Sequence, residues 1–225
     1  MAAAEPASPV QPVRRRRWAA VLAALAAGGA LLLAFPNAGL WWCAPIGVAL
    51  LALAVHRRGF WAGTGLGLLA GLAFLVPLLS WTTIVGGAAP WLILAAFEAG
   101  YLAFAAGAAA WCSPLIDRYR WSWPVVTGLL WTGQEAVRDR YPFGGFPWGR
   151  LAFSQGDSPL LRWAVVGGAP LVTFLVAVTG GLLAAAVWRR DRIGLALGGG
   201  AVALVLSGLL IPTATPHGPA VTDCC

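Results

Sequence analysis

Long apolar runs separated by short polar connections make up most of this chain. A helix needs about 20 mostly apolar residues to cross a hydrocarbon core of roughly 30 Å. Runs of about this length follow one another, so the pattern predicts an all-α integral membrane protein, a bundle of about seven transmembrane helices. The predicted spans are 18–35, 40–55, 60–81, 90–111, 123–137, 161–188 and 193–211.

The connections between the runs differ in charge. Arginines precede the first run, at Arg14 to Arg17, and recur in the connections 56–59, 117–120 and 188–192. The connections 36–39 and 82–89 carry no charge. Because arginine-rich loops stay in the cytoplasm, this alternation predicts a cytoplasmic N-terminus and an external C-terminus.

The ends of the chain read differently from its middle. Residues 1–17 are predicted to be a disordered basic leader, 18–211 the membrane domain and 212–225 a short external tail. The first run could also belong to a signal peptide, but it is long and no small-residue cleavage site follows, which favours an uncleaved span. Cys224 and Cys225 superficially resemble a prenylation signal, which would require a cytosolic tail.

One external connection, "YPFGGFPWGRLAFSQGDSPL" (141–160), is polar, aromatic and rich in Gly and Pro. Together with Arg138, Arg140 and Arg162 it departs from the charge pattern. Its glycines and prolines argue against a regular helix. Irregular backbone at membrane depth is tolerated where protein buries it or where it lines a cavity. We therefore predict a re-entrant or interfacial loop between the fifth and sixth helices that borders a cavity, although Phe146 and Trp148 also suit an interfacial aromatic belt.

Three charged residues lie within or at the end of apolar runs. Glu98 is predicted to lie well inside the hydrocarbon, either as a lipid- or proton-handling group or as a protonated carboxyl bonded to a neighbouring helix. Glu135 and Arg138 are spaced to lie on one helix face and to pair. Arg138 suits either snorkelling to the interface or binding of a lipid phosphate.

Composition excludes several function classes. The 225 residues are 60% hydrophobic and 10% charged, with a net charge of +7 that comes entirely from arginine. Because these charges lie between apolar runs, they indicate topology rather than a nucleic-acid partner. We find no nucleophile elbow, zinc-protease motif or P-loop, so the residues alone predict no catalytic group, metal or cofactor.

Longer stretches resemble bacterial apolipoprotein N-acyltransferases. These are "LLWTGQEAVRDRYPFGGFPWG", with an acid, an arginine three residues on and then Gly-Phe-Pro-Trp, and the following "GFPWGRLAFSQGDSPLLRW". Residues 20–212 are similar to the family's membrane domain. The resemblance implies a bacterial inner-membrane protein that takes part in acyl transfer from a phospholipid to the N-terminal amino group of a lipoprotein. It also implies that lipid or substrate binding falls to Glu135, Arg138, Phe146, Pro147, Trp148 and Gln155.

In that family a nitrilase-like domain with a Glu-Lys-Cys triad follows the seventh helix, and an eighth helix closes the chain. Here "PTATPHGPAVTDCC" follows Ile211, which leaves no room for such a domain. We therefore expect a chain that binds lipid without catalysing transfer, as a fragment, the product of a split gene or a stand-alone domain. Expected partners are a phospholipid, a lipoprotein N-terminus and a separate nitrilase-like or glycosyltransferase chain.

The sequence is also compatible with two other functions. One is a non-catalytic anchor for a glycosyltransferase that uses polyprenyl phosphate, because acyltransferase-like membrane segments resemble such partners in actinobacteria, and the arginine-rich, lysine-free composition is typical of a high-GC genome. The other is a small-solute transporter, disfavoured because the sequence shows no inverted repeat or interrupted helix pair.

Overall fold

The apolar runs fold into helices connected by turns. The computed structural model describes residues 11–119, 121–142, 144–189 and 191–212, with side chains from residue 17 onward. In this part of the chain there is no strand. The α-helices are α1 (Gln11–Ala34), α2 (Cys43–Val55), α3 (Phe60–Leu78), α4 (Thr83–Gly86), α5 (Ala88–Trp111), α6 (Ser113–Arg118), α7 (Ser122–Arg138), α8 (Ala164–Arg189) and α9 (Arg192–Ser207).

The all-α membrane fold is confirmed. Each of the seven predicted runs contains a helix, and five helical segments are long and apolar enough to cross a bilayer. These five are Arg17–Ala34, Phe60–Leu78, Ala88–Trp111, Pro159–Arg189 and Arg192–Leu210. The remaining two helices are shorter, with 13 residues in α2 and 17 in α7. Helix length therefore supports five spans, and the predicted count of seven is not established.

Helix boundaries differ from the prediction where Pro and Gly are placed. Helix α1 begins at Gln11 instead of Trp18, since Pro12 fits a first turn and the arginines that follow favour helix. Residues 1–10 and 213–225, which include most of the predicted leader and tail, lie outside the described part. Helix α3 ends at Leu78, directly after Pro77, and a 3₁₀ turn at Ser80–Thr82 follows at the end of the third predicted run. The short helix α4 lies within the predicted connection 82–89.

Helix α8 is broken near its start, which the sequence did not indicate. Gly167 has a non-helical φ of −141°, and Gly168 has a φ of +65°. Only glycine adopts the second conformation without steric cost. The sixth predicted run is therefore a 3₁₀ turn at Pro159–Trp163, a short helical segment, a break and a long helix. Within the described residues, the sixth span is therefore interrupted at Gly167 and Gly168.

Small residues hold α3 against α5. Gly63, Gly67 and Gly71 recur every four residues on α3 and contact alanines of α5. A Cβ atom added at Gly67 would lie 2.9 Å from the Cα of Ala103, which is backbone and cannot turn aside. Close approach of helix backbones is how helices associate within lipid. The smooth α3 face predicted from the glycine spacing is thus the α5 contact.

Replacing Gly67 with leucine is expected to destabilise the bundle by about 1–3 kcal/mol or more, because the side chain would force α3 and α5 apart. Gly65→Leu is the matched control, since nothing lies within 4 Å of a Cβ atom at Gly65 on the same helix. Thermal unfolding in detergent, followed by tryptophan fluorescence, compares the two. Equal midpoints for both variants would contradict this packing.

The connections gather at two opposite ends of the bundle. At one end, the His56 face, Arg57 donates a 2.7 Å hydrogen bond to Asp117 and lies over the Trp188 ring. At the other, the Gln155 face, Gln155 donates to the carbonyl of Trp41. The three arginine-rich connections therefore share one face and the predicted external connections share the other, as the charge pattern predicts.

The buried side chain of His56 makes the stability of the protein depend on pH. The His56 ring stacks on Trp123 with centroids 4.3 Å apart, and its Nε2 lies 3.2 Å from Asp117 Oδ1. Burial lowers the pKa of His56, although the Asp117 carboxylate acts in the opposite direction. The hydrogen bond from Arg57 lowers the pKa of Asp117.

Acidification from pH 7.5 to 5.5 is therefore expected to remove the part of the protein's stability that His56 contributes. The unfolded histidine takes up a proton near its ordinary pKa of about 6.5, whereas the folded one resists it, so the stabilisation is present above that pH and is lost as the pH falls through it. The contribution of Asp117 is lost only below its ordinary pKa of about 3.9 and does not enter this window. His56→Phe should flatten the dependence of the melting temperature on pH, and an unchanged slope would contradict it.

Candidate functional site

Helix α7 brings polar side chains to the interior of the bundle. Trp131, Glu135 and Arg138 lie four and three residues apart and are all buried, whereas Gly133 and Val137 on the opposite side are exposed. This periodicity places one face of α7 against its neighbours. A carboxylate and a guanidinium thus enter the protein near the end of the helix at the Gln155 face.

The Glu135 carboxylate accepts three hydrogen bonds. Its Oε1 accepts from the backbone N–H of Leu151, at 2.9 Å, and from the indole N–H of Trp131, at 3.2 Å. Its Oε2 accepts from the Thr173 hydroxyl of α8 at 2.8 Å. That hydroxyl in turn accepts from the N–H of Ala152 at 3.3 Å. Glu135 therefore joins α7, α8 and the start of the 3₁₀ turn Leu151–Gln155.

Arg138 forms its ion pair with a residue of another helix and not with a residue of α7. Among the described residues, the carboxylate within ion-pair distance of Arg138 is that of Glu98 on α5, with Nη1 to Oε2 at 3.6 Å. Glu135 and Arg138 share the buried face of α7, as predicted, and lie within electrostatic range of each other. Among the described residues, however, no ion pair joins them, and Glu135 accepts its hydrogen bonds from Leu151, Thr173 and Trp131. Glu98 was predicted either to handle lipid or protons or to bond, as a protonated carboxyl, to a neighbouring helix. Its partner does lie on a neighbouring helix, and that partner is the side chain of Arg138.

The guanidinium of Arg138 has unused donors. Its side chain is 4% exposed, and neither Nε nor Nη2 has a hydrogen-bond partner among the described residues. Buried polar groups are hydrogen-bonded in the great majority of cases. These N–H groups are therefore available to an anionic oxygen or to water.

The loop between α7 and α8 is anchored at several points. The N–H of Phe146 donates to the carbonyl of Arg138 at 3.0 Å, so the Gly-Phe-Pro-Trp segment begins directly on the end of α7. Arg150 forms an ion pair with Asp139. Ser158 caps the 3₁₀ turn Pro159–Trp163 by accepting from the N–H of Leu160 at 3.1 Å. The loop is thus fixed to the bundle at these points, although Tyr141, Pro142, Gly144, Pro147 and Trp148 within it are exposed.

The remaining predicted site residues in this loop differ in exposure. Pro147 and Trp148 are exposed, and the Trp148 ring lies 5.1 Å from that of Trp81, while Phe146 is half-buried. Gln155 is fully buried and donates to Ser154 and to the carbonyl of Trp41, so it fixes the connection between α1 and α2. The structure therefore brings Glu98 and Arg138 together and separates them from Gln155.

A groove opens between α5 and α7, on the exposed side of α7 that carries Gly133 and Val137. Its volume is about 870 Å³, and its lining is largely apolar. Phe97 and Val137 line it, whereas their buried sequence neighbours Glu98 and Arg138 do not. Within the described residues, by contrast, no group of three or more His, Cys, Asp and Glu side chains is arranged to hold a metal ion.

Sequence reasoning did not single out Thr173, the partner that completes the Glu135 site. It is a single hydroxyl within a long apolar run, and such residues usually bond to their own helix backbone, as Thr179 does to Leu175. The pairing of Glu98 with Arg138 was also missed, because 40 residues separate them and no local spacing links two helices.

Comparison with known proteins decides the family. Residues 27–182 match the family described as the apolipoprotein N-acyltransferase N-terminal domain. The chain belongs to this family. The matched range contains every residue of the buried polar site, from Glu98 to Thr173.

Several curated apolipoprotein N-acyltransferases are similar to the chain. The protein of Mycolicibacterium smegmatis is 41% identical over 167 residues, which cover 73% of this chain and 27% of that protein. The protein of Chromobacterium violaceum is 34% identical over 203 residues, covering 86% of this chain and 39% of that protein. The chain thus spans well under half the length of these relatives, and it matches the apolipoprotein N-acyltransferase family through its helical membrane domain.

Proposed function

We propose that this chain is the lipid-binding membrane domain of an apolipoprotein N-acyltransferase. It receives a phospholipid acyl donor and the acyl chains of a diacylglyceryl-modified lipoprotein at the Gln155 face, beside the loop that carries Phe146, Pro147 and Trp148. The His56 face lies in the cytoplasm and the Gln155 face outside the inner membrane. This orientation rests on the arginine content of the connections.

The Arg138 guanidinium is the observation that carries the proposal. It is buried, paired by one nitrogen with Glu98, and unpartnered at Nε and Nη2. Two N–H groups on a planar fork match the oxygens of a phosphate, the group that every phospholipid carries. Membership of the family supplies the substrate class.

Acyl transfer itself requires a nucleophile that the buried site does not provide. Both oxygens of Glu135 are occupied by donors, so this carboxylate positions the loop instead of acting as a base. Of the described cysteines, Cys43 is buried in the core and Cys112 lies at the other end of α5. We propose that a separate nitrilase-like portion supplies the Glu-Lys-Cys chemistry to the bound lipids.

The test is phospholipid binding by the purified chain. Arg138→Lys retains the charge opposite Glu98 but loses the planar fork, and it should weaken retention of phosphatidylethanolamine about tenfold, as expected for loss of one charge-assisted hydrogen bond. Arg140→Lys is the matched control, because Arg140 is exposed and, in the part of the chain that the structure describes, donates to the carbonyl of Ala136. Native mass spectrometry in detergent counts the retained lipids.

Two results would contradict the proposal. Equal retention by Arg138→Lys and the unchanged chain would remove the phosphate role of Arg138. Formation of an N-acylated lipopeptide by the chain alone, detected by its added mass, would show that the chain contains its own catalyst.

A further inference from the structure

A polar cavity opens at the His56 face, at the opposite end of the bundle from Arg138. Its volume is about 180 Å³, more than ten times the roughly 10–15 Å³ that one water molecule requires. It lies where α6 and the first turn of α7 meet the end of α8 and the start of α9. The cavity is polar, whereas the groove between α5 and α7 is apolar. Charged and indole side chains form most of its lining: Arg57, Asp117, Trp123, Trp188, Arg189 and Asp191.

The two guanidinium groups of the cavity have unused hydrogen-bond donors. An arginine side chain carries five N–H donors. The Nε of Arg57 donates to Asp117 Oδ2 at 2.7 Å. The Nε of Arg189 is buried and has no hydrogen-bond partner among the described residues, since Oδ2 of Asp191 lies 3.6 Å from it, beyond hydrogen-bond distance. Within the described part of the chain, most donors of both side chains are therefore available to a ligand.

The two carboxylates of the cavity do not use up these donors, because both are engaged elsewhere. Asp117 accepts from Arg57, and its Oδ1 lies 3.2 Å from the Nε2 of His56. Asp191 Oδ1 accepts from the backbone N–H of Gly194 at 2.8 Å and so caps the start of α9. The two aspartates balance the two arginines in charge, but the free donors exceed the free acceptors. Such a cavity is complementary to a ligand that brings several acceptor oxygens.

The backbone of Arg57 has a conformation that favours glycine. Its φ is +56°, in the left-handed region that glycine adopts without steric cost. The N–H of Arg57 donates to Ser113 Oγ at 2.9 Å, and its guanidinium carbon lies 5.3 Å from the centroid of the Trp188 ring. Residues other than glycine in such conformations cluster at binding and catalytic sites. A connection that only had to turn would be better served by glycine, so the arginine side chain itself is needed at this position.

We infer that this cavity binds a phosphate group, with the guanidinium groups of Arg57 and Arg189 as the donors. Planar guanidinium forks match the oxygens of a phosphate. The exposed indoles of Trp61 and Trp111 lie at the same end of the bundle, and tryptophan is enriched at the level of the lipid headgroups. In the proposed orientation this end is the cytoplasmic one, where arginine-containing pockets between transmembrane helices bind anionic lipid headgroups. Two sources supply the same chemistry, an anionic lipid and free phosphate.

The melting temperature of the full chain in an uncharged detergent tests binding of free phosphate. A ligand that binds only the folded chain raises this temperature, so sodium phosphate is compared with sodium chloride at equal ionic strength. Arg57→Gln and Arg189→Gln each remove one guanidinium from the cavity. Arg118→Gln is the matched control, because Arg118 is exposed on α6 at the same face, lies over the Tyr119 ring and does not line the cavity.

Phosphate is expected to raise the melting temperature of the unchanged chain and of Arg118→Gln by the same amount. In Arg57→Gln and Arg189→Gln, the phosphate concentration needed for a given shift should rise about tenfold, as expected for loss of a hydrogen bond to a charged group. Each shift is taken from the variant's own midpoint in chloride, so a variant of lower stability remains informative. General effects of phosphate on protein stability act on all variants alike and cancel in the comparison.

Native mass spectrometry tests the lipid as the source. Each variant is purified with one equivalent of phosphatidylglycerol, and the retained lipid is counted before and after addition of inorganic phosphate. If the ligand is an anionic lipid, Arg57→Gln and Arg189→Gln should lose about tenfold in retention, Arg118→Gln should lose none, and inorganic phosphate should displace the lipid. If the ligand is a soluble phosphate compound, lipid retention is equal in all variants while the difference in melting temperature persists.

Two outcomes would overturn the inference. The first is a phosphate shift and a lipid retention that are both unaffected by Arg57→Gln and Arg189→Gln. The second is an equal loss in Arg118→Gln, which would assign the effect to the overall charge of the His56 face and not to the cavity. Arg138 is unchanged in all of these variants and lies at the Gln155 face, so the proposed function does not depend on the result.

Discussion

Replacing Glu135 with leucine is expected to detach the loop between α7 and α8 and to destabilise the protein by about 3 kcal/mol or more. Leucine fits the volume of the site but accepts no hydrogen bond. Three buried donors lose their partner at once: the N–H of Leu151, the hydroxyl of Thr173 and the indole N–H of Trp131. Each buried group left unsatisfied costs about 1–3 kcal/mol. The free energy of unfolding in mixed micelles measures the sum.

Glu135→Gln is the informative control for this prediction. The amide keeps one oxygen, which continues to accept from Leu151. Its NH₂ group, however, faces the Thr173 hydroxyl, whose proton must then find another acceptor while Ala152 still donates to its oxygen. We expect a loss of stability between those of the unchanged chain and Glu135→Leu. Amide hydrogen exchange at Leu151 separates the effects, since protection should survive in Glu135→Gln and vanish in Glu135→Leu.

Equal stability of Glu135→Leu and the unchanged chain would show that Glu135 does not anchor the loop. A loss of stability with full protection of the Leu151 amide would locate the effect elsewhere, at Trp131 or Thr173. Either result would also remove the argument that Glu135 is a positioning residue and free its carboxylate for another role.

The parts of the fold that depend on residues close together in the sequence could be predicted. Apolar runs in lipid must become helices because no other element satisfies its own backbone there, so the helices were predictable. The face formed by Gly63, Gly67 and Gly71 was predictable for the same reason, as spacing along one helix states which residues share a side. Arginine content assigned the connections to the two ends of the bundle.

The candidate site was predicted in its members but not in its contacts. Glu135 and Arg138 stand three residues apart, and that local spacing suggested a pair. The actual pair joins Arg138 to Glu98, and the partner of Glu135 includes Thr173, because packing of three helices decides which side chains meet. The break in α8 at Gly167 and Gly168 was missed because glycine is common in membrane helices and does not by itself indicate a break.

A double-mutant cycle on Glu98 and Arg138 is expected to show strong coupling between the two helices. Arg138→Met leaves the Glu98 carboxylate, 3% exposed, without its counter-charge. Removing one partner of a buried ion pair costs about 3–5 kcal/mol, because the remaining charge stays buried without compensation. Glu98→Gln should cost a similar amount, since it leaves a guanidinium with little exposure and two N–H groups already unpaired.

The double variant Glu98→Gln, Arg138→Met should be more stable than either single variant, as replacement of a buried pair by neutral groups is often close to neutral. Additive losses would show that the two residues act independently and that their 3.6 Å separation carries no energy. Lipid retention distinguishes a structural pair from a binding one. If the pair serves only the fold, the double variant will regain both stability and phospholipid binding. If Arg138 also holds the phosphate, the double variant will be stable but will no longer retain phospholipid.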